Sequence, residues 1–264
     1  MKRYSKAKES VSERKDHILD ILIETPEITI TELARQLQVS VVTIRNDLAA
    51  LEEDGLLIRG HGGAIPAFHP AVLRRMRTAR DAKVEIARAA AAHVKDGDTI
   101  MIAAGTTTAF IPRFLRGKRQ VHIVTNNTLL LPYVRTNPQL IVTLVGGNFR
   151  PAEESLTGPL TMEAVQRFRV HRAFIGIDGV DAEQGVFANS VESGDFVRQM
   201  AANATETIVL ADAAKFQTPG FVHILPFAKI DYLITDAKLP ASMHTILKEH
   251  NVKLQTVEKR RTNK

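Results

Sequence analysis

Between residues 13 and 55 apolar positions recur every three or four residues, the period of amphipathic helices. Ile18, Ile21 and Leu22 share one face of a first helix over 13–24, and Pro26 lies beyond its end. In TITELARQL, Thr29 followed three residues later by Glu32 has capping-box spacing, and Leu33 and Leu37 share a buried face. A third helix begins at Ser40, a good N-cap; Val41, Ile44, Leu48 and Leu51 form one stripe, and Gly55 supplies the stop. A short helix, a tight turn and a longer helix predict a helix-turn-helix. LLIRGHGGAIP then predicts a small β-wing.

From about residue 80 the texture changes. After an alanine-rich helix over 79–95, seven short β-rich runs alternate with helix-sized stretches: TIMIAAG, VHIVTNN, LIVTLVGG, AFIGIDG, TIVLADA, DYLITDA and KLQTVE. The alternation predicts an α/β architecture with a mostly parallel sheet, whose ligands sit outside the carboxyl ends of the strands. The expected organisation is a winged helix-turn-helix over 13–66, a linker over 67–80 interrupted by Pro66 and Pro70, and a larger α/β domain over 81–258.

Composition narrows the function. The 264 residues include no cysteine, which removes thiolate catalysis, disulfides and cysteine zinc sites. No apolar run approaches the roughly 18 residues of a membrane span and no signal peptide is visible, so the expected location is cytoplasmic, away from membranes. The histidines are scattered, so neither a metal site nor a cofactor is expected. The net charge of +6 favours a polyanionic partner. Residues 56–80 hold five arginines and no acid, whereas residues 16–55 hold nine acids and two arginines. The acids cluster on the first helix and at the far end of the third, so they can face away from DNA.

In a helix-turn-helix the second helix enters the major groove. With Ile44 and Leu48 inward, Val42, Thr43, Arg45, Asn46 and Ala49 point outward. Arg45 suits guanine and Asn46 adenine, each by a bidentate contact. Ser40 or Thr43 can reach a phosphate, and Arg59 and His61 of the wing can lie over the backbone or the minor groove. Duplex DNA is the expected partner; a small helical interaction domain is the bland alternative.

In the second domain Gly105-Thr106-Thr107-Thr108 falls between a predicted strand and a predicted helix, where backbone N–H groups and hydroxyls can hold a phosphate. Asn126, Gly146, Gly147, Asp178, Asp181, Glu192, Asp212 and Lys215 fall at or after later strand ends. Asp178 and Glu192 can accept hydrogen bonds from sugar hydroxyls, and Lys215 can offset ligand charge. Each of these residues can equally be a plain turn or cap, and Asp212 can simply pair with Lys215.

ITELARQLQVSVVTIRNDLAALEEDGLLIRGHGGAI resembles the winged helix-turn-helix of the DeoR/GlpR family of bacterial transcriptional regulators. DGDTIMIAAGTTT, IVTNN, LVGGNFR, SLTGPL, AFIGIDGVD, LADAAKF and LITDAKL follow the family's effector domain in order, over roughly residues 13–240. The resemblance implies a ribose-5-phosphate-isomerase-type fold reused to sense a phosphorylated sugar or related metabolite, repression of carbohydrate-utilisation genes, and a homo-oligomer, dimer or tetramer, on paired operator half-sites. The chain departs from the family at Ala103, where an acid is common, and at Ala213-Ala214, where serines are common. Asp178-Gly179-Val180-Asp181 also resembles an isomerase loop, but no lysine follows it, so a local cation to steady an enediolate is missing. The expected function is therefore regulation, not catalysis; a sugar-phosphate isomerase and a ligand-independent architectural DNA binder are the alternatives.

Overall fold

The computed structural model describes residues 10–60, 63–135, 137–218 and 220–258, excepting the side chain of Ser12. Two compact units divide after Arg77.

The first unit begins with α1 (Val11–Glu24), α2 (Ile30–Gln36) and α3 (Val41–Glu53). Ser10 and Thr29 each close a reciprocal capping box, with Glu13 and Glu32 respectively. Ser40 caps α3 by accepting from the Thr43 N–H at 3.0 Å. The tight turn after α2 is a Schellman closure. Gln38 N–H donates to Arg35 O and Val39 N–H to Ala34 O, with Gln38 at φ 55°. The same pattern ends α3, where Gly55 takes φ 71°. Ile18, Ile21, Leu22, Leu33, Ile44, Leu48 and Leu51 are buried together, as the periodicity predicts, while Val41 and Leu37 are half-buried.

β1 (Leu57–Gly60) pairs antiparallel with β2 (Gly63–Pro66) to form the wing. α4 (Pro70–Arg77) follows inside the stretch read as a linker. Its Val72, Leu73 and Met76 are buried, and Arg77 pairs with Asp16 and Asp20 of α1.

The second unit opens with α5 (Arg80–Ala91). Its expected end near residue 95 is earlier because the last turn tightens: Ala92, His93 and Val94 donate to the carbonyls three residues back. Next come β3 (Thr99–Ile102), β4 (Val121–Thr125), α6 (Leu131–Val134), β5 (Leu140–Leu144), β6 (Asn148–Arg150), β7 (Ser155–Thr157), α7 (Pro159–Gln166) and β8 (Val170–Gly176). Then follow β9 (Gly179–Asp181), β10 (Gly185–Ala188), α8 (Val191–Ala202), β11 (Ala204–Ala211), β12 (Val222–Leu225), β13 (Tyr232–Thr235), α9 (Ala241–Glu249) and β14 (Lys253–Thr256).

All seven β-rich runs enter one seven-stranded sheet, in the order β14-β13-β11-β8-β3-β4-β5, with every neighbour parallel. Alternate residues feed opposite cores. Ile100, Ile102, Phe174, Ile208 and Leu210 pack with α5, while Met101, Ala173, Ile175 and Val209 pack with α7, α8 and α9. Cover on both faces explains why the strands read as continuous apolar runs rather than alternating ones. Strand order reverses direction between β3 and β8, and such a switch point leaves a crevice at the carboxyl ends.

Candidate functional site

Two groups of residues carry function in the sequence reading, one in each unit.

On α3, Arg45, Asn46 and Val42 are exposed, the last to 63%, and Thr43 is half-buried. Among the described residues neither Arg45 nor Asn46 makes a side-chain hydrogen bond or ion pair, so both keep their donor capacity for an outside partner. Beneath them Asp47 is buried and takes a two-pronged contact from Arg14 of α1, at 2.6 and 3.2 Å. That pair fixes the rotation of α3 and keeps Asp47 off the exposed face. Ser40 Oγ lies 2.8 Å from Thr43 Oγ1, so both hydroxyls are engaged at the helix start. Arg59, read as a DNA contact, ion-pairs through Nε with Glu52 at 2.6 Å, half in solvent. His61 lies outside the described residues.

Part of the second group gathers at the switch point. An ideal Cβ on Gly176, at the end of β8, would lie 3.9 Å from Thr108 Cγ2, so the β3 turn and the β8 end are neighbours. The turn leads into a helix, as expected, but one of 3₁₀ type, Thr108–Phe114, with Pro112 inside. Proline cannot donate to an α ladder and its ring collides with the carbonyl four residues back. Thr108 is also inward: its hydroxyl donates to Ala103 O at 2.7 Å and contacts Gly105 O at 3.0 Å. Thr106 and Thr107 are each 8% exposed. Ala103, where the family's acid is common, packs in the core.

Asn126 ties β4 to its neighbours, accepting from Ala104 N–H at 2.9 Å and donating to Leu156 O at 3.1 Å. Asp178 accepts from Asn189 N–H and faces Lys215 Nζ at 3.6 Å. Lys215 therefore pairs with Asp178 and not with Asp212, whose carboxylate accepts from Ala214 N–H as a cap. The cation that the sequence reading found missing beside the isomerase-like loop arrives instead from the end of β11. Asp181 accepts from Glu183 and Gln184 N–H and so holds a turn. Glu192 is exposed, 3.8 Å from Arg150. Gly146 O accepts from Thr161. Gly147 is set by packing: at φ 141°, a Cβ there would meet Thr161 Oγ1 at 1.9 Å and Thr157 O at 2.6 Å.

Sequence reading missed the residues that join these parts. Asn127, fully buried, donates to Gly105 O at 3.0 Å and accepts from Leu129 N–H. It bridges to Ser155, whose hydroxyl reaches Glu153, and Glu153 also meets Ser193 of α8. Polar contacts thus run from the β3 turn to α8. Asn127 and Ser155 stand inside quoted motifs, IVTNN and SLTGPL, and Arg150 closes LVGGNFR; Glu153 and Ser193 stand in none.

Residues 78–237 match the family described as "DeoR C terminal sensor domain", and residues 14–67 match "DeoR-like helix-turn-helix domain". The chain belongs to the DeoR family of transcriptional regulators. It is 31% identical to the HTH-type transcriptional repressor GlcR of Bacillus subtilis, over 93% of this chain and 96% of that one. It is 27% identical to the glycerol-3-phosphate regulon repressor of Escherichia coli K12, over 92% and 98% respectively. A solved D-ribose-5-phosphate isomerase overlays 51% of the chain and 52% of its own, at TM-score 0.37 and 18% identity. This DeoR-family chain is a DNA-binding regulator with a sensor domain, not an isomerase. Among the described residues no helix is long and apolar enough to cross a membrane.

Proposed function

We propose that this DeoR-family protein is a cytoplasmic repressor of carbohydrate-utilisation genes, released from operator DNA by a phosphorylated sugar or related metabolite. The reader is residues 13–66, with Arg45 and Asn46 on base edges, Val42 and Thr43 beside them, and Ser40 and Arg59 toward the backbone. The sensor is residues 81–258. The observation that carries the reading is the exposed, unpartnered Arg45–Asn46 pair on a helix whose other face buries Ile44, Asp47, Leu48 and Leu51. The names of the relatives, repressors of a glycerol-3-phosphate regulon among them, support the effector class.

The effector is held in the crevice between β3 and β8. Gly105 to Thr107 and Asn126 form one wall; Asp178, Lys215 and Glu192 form the other. Lys215 and Arg150 supply the positive charge that a phosphate needs, and Asp178 and Glu192 accept from hydroxyls. Ligand acts by binding more tightly to the arrangement that releases DNA. Paired half-sites on the operator require a homo-oligomer.

Fluorescence anisotropy with operator DNA and a panel of sugar phosphates tests both halves. Specific binding that one sugar phosphate reverses is the expected result. Specific binding that no phosphorylated metabolite alters would leave a ligand-independent DNA binder and remove the sensor reading.

A further inference from the structure

The two edges of the seven-stranded sheet differ. At one edge β14 begins with Lys253, whose ammonium sits exposed, 3.1 Å from Tyr232 Oη. The other edge is β5, LIVTL, which pairs with β4 alone among the described residues. Charged residues make up 24% of the chain, yet none falls between Arg135 and Arg150. Ile141 is 57% exposed and Leu144 38%. Exposed strand edges are ordinarily protected by lysine, proline or a bulge, because their free peptide groups recruit another strand. β5 has no lysine or proline and its register with β4 is regular.

The backbone phase is fixed. Val145 N–H donates to Thr125 O at the end of β4, so the odd-numbered residues of β5 address β4. Peptide groups alternate along a strand, so those of Val142 and Leu144 face outward. Further exposed apolar side chains follow the strand in sequence. Phe149 on β6 is 48% exposed and Leu160, at the start of α7, 66%. Thr161, next to Leu160, hydrogen-bonds Gly146 O at 2.7 Å, which holds the start of α7 against the end of β5.

We propose that the β5 edge is the site at which two copies of this chain associate, β5 pairing antiparallel with β5 of the second copy about a two-fold axis. In an isologous contact every residue near the axis meets its own counterpart, so any charge there would face itself. β5 carries no charge and is the neutral edge of this sheet, so a second copy meets it with no like charges facing each other. A partner of different chemistry, recognised by charge, would find nothing on this edge to read. The proposal deepens the regulator reading, since it names the surface that presents paired readers, but association is measurable without DNA.

The test is sedimentation velocity of the full chain at micromolar concentration, with Leu144→Lys and Val142→Pro. Val142→Pro removes an outward N–H and leaves the β4 ladder intact. Wild type is expected as a dimer or a multiple of one. Both variants should have half its mass, with a dissociation constant raised roughly tenfold or more, and unchanged far-UV circular dichroism. A monomeric wild type, or variants that associate like wild type, overturns the proposal. Binding to a single operator half-site should be unaffected by Leu144→Lys. Failure of wild type to bind any operator would count against the regulator reading and leave the association result standing.

Discussion

The two units place function in opposite ways. In the first, the candidate reading residues lie on one helix, within two turns of each other, and point outward from a core set by helical periodicity. In the second, the candidate crevice draws on the ends of β3, β4, β8 and β11, on α8, and on the β6–β7 hairpin. A helix carries its own phase, so a local pattern aims its side chains. A crevice at a switch point depends on strand order, which no local pattern contains. One unit is therefore sensitive to what holds a helix in place, the other to what holds strands together.

The largest expected effect breaks the anchoring of the reader. Arg14→Ala leaves Asp47 buried without its cation and should destabilise the first unit by about 3–5 kcal/mol. Chemical denaturation followed by circular dichroism measures it; a loss below 1 kcal/mol would mean that α3 does not depend on this pair. The matching change in the sensor is Asn127→Ala. It orphans Leu129 N–H and takes one of three donors from the Gly105 carbonyl, at a cost of about 2 kcal/mol. That loss should appear in the second unit and leave DNA affinity unchanged.

Arg45→Ala sharpens the contrast, because it should cost roughly 1–3 kcal/mol of operator affinity and relax preference at one base position, with no change in melting. Operator affinity equal to wild type would take Arg45 out of the reading set. Lys215→Ala should spare DNA binding and blunt the effector response. Equal damage to both would show that the Lys215–Asp178 pair supports the fold instead.

The smallest effect concerns the helix starts. Hydrogen bonds from the Thr29 hydroxyl and backbone N–H hold the Glu32 carboxyl below the ordinary carboxylate range, and the Ser10 backbone N–H and hydroxyl do the same for Glu13. Because the folded values are depressed, this stabilisation is present above the ordinary carboxylate range and fades as pH falls through the folded values. Thr29→Ala should move the Glu32 titration, followed by NMR, upward toward the ordinary value. An unmoved titration would remove the cap as its cause.

Much of the fold was legible because its signals are local. Capping boxes, the stripe through Ile44, Leu48 and Leu51, and all seven apolar runs of the sheet depend on residues close in the chain. The missed features share the opposite property. Thr108 turned inward because Asn127, Ala103 and Gly105 converge on it from two strands. Lys215 found Asp178 rather than Asp212, its near neighbour in sequence. Arg59 turned to Glu52 of α3, a contact between two elements rather than within one.

The sequence by itself determined the helix-turn-helix with its outward Arg45 and Asn46, the α/β class of the second unit, and the positions where each strand must turn. Periodicity and capping are properties of consecutive residues, and they suffice for that. Only the tertiary structure decided that β3 and β8 lie side by side, that Asp178 has a cation, and that β5 is left as an uncharged edge. Those depend on which strands become neighbours, and that is settled by packing among residues far apart in the chain.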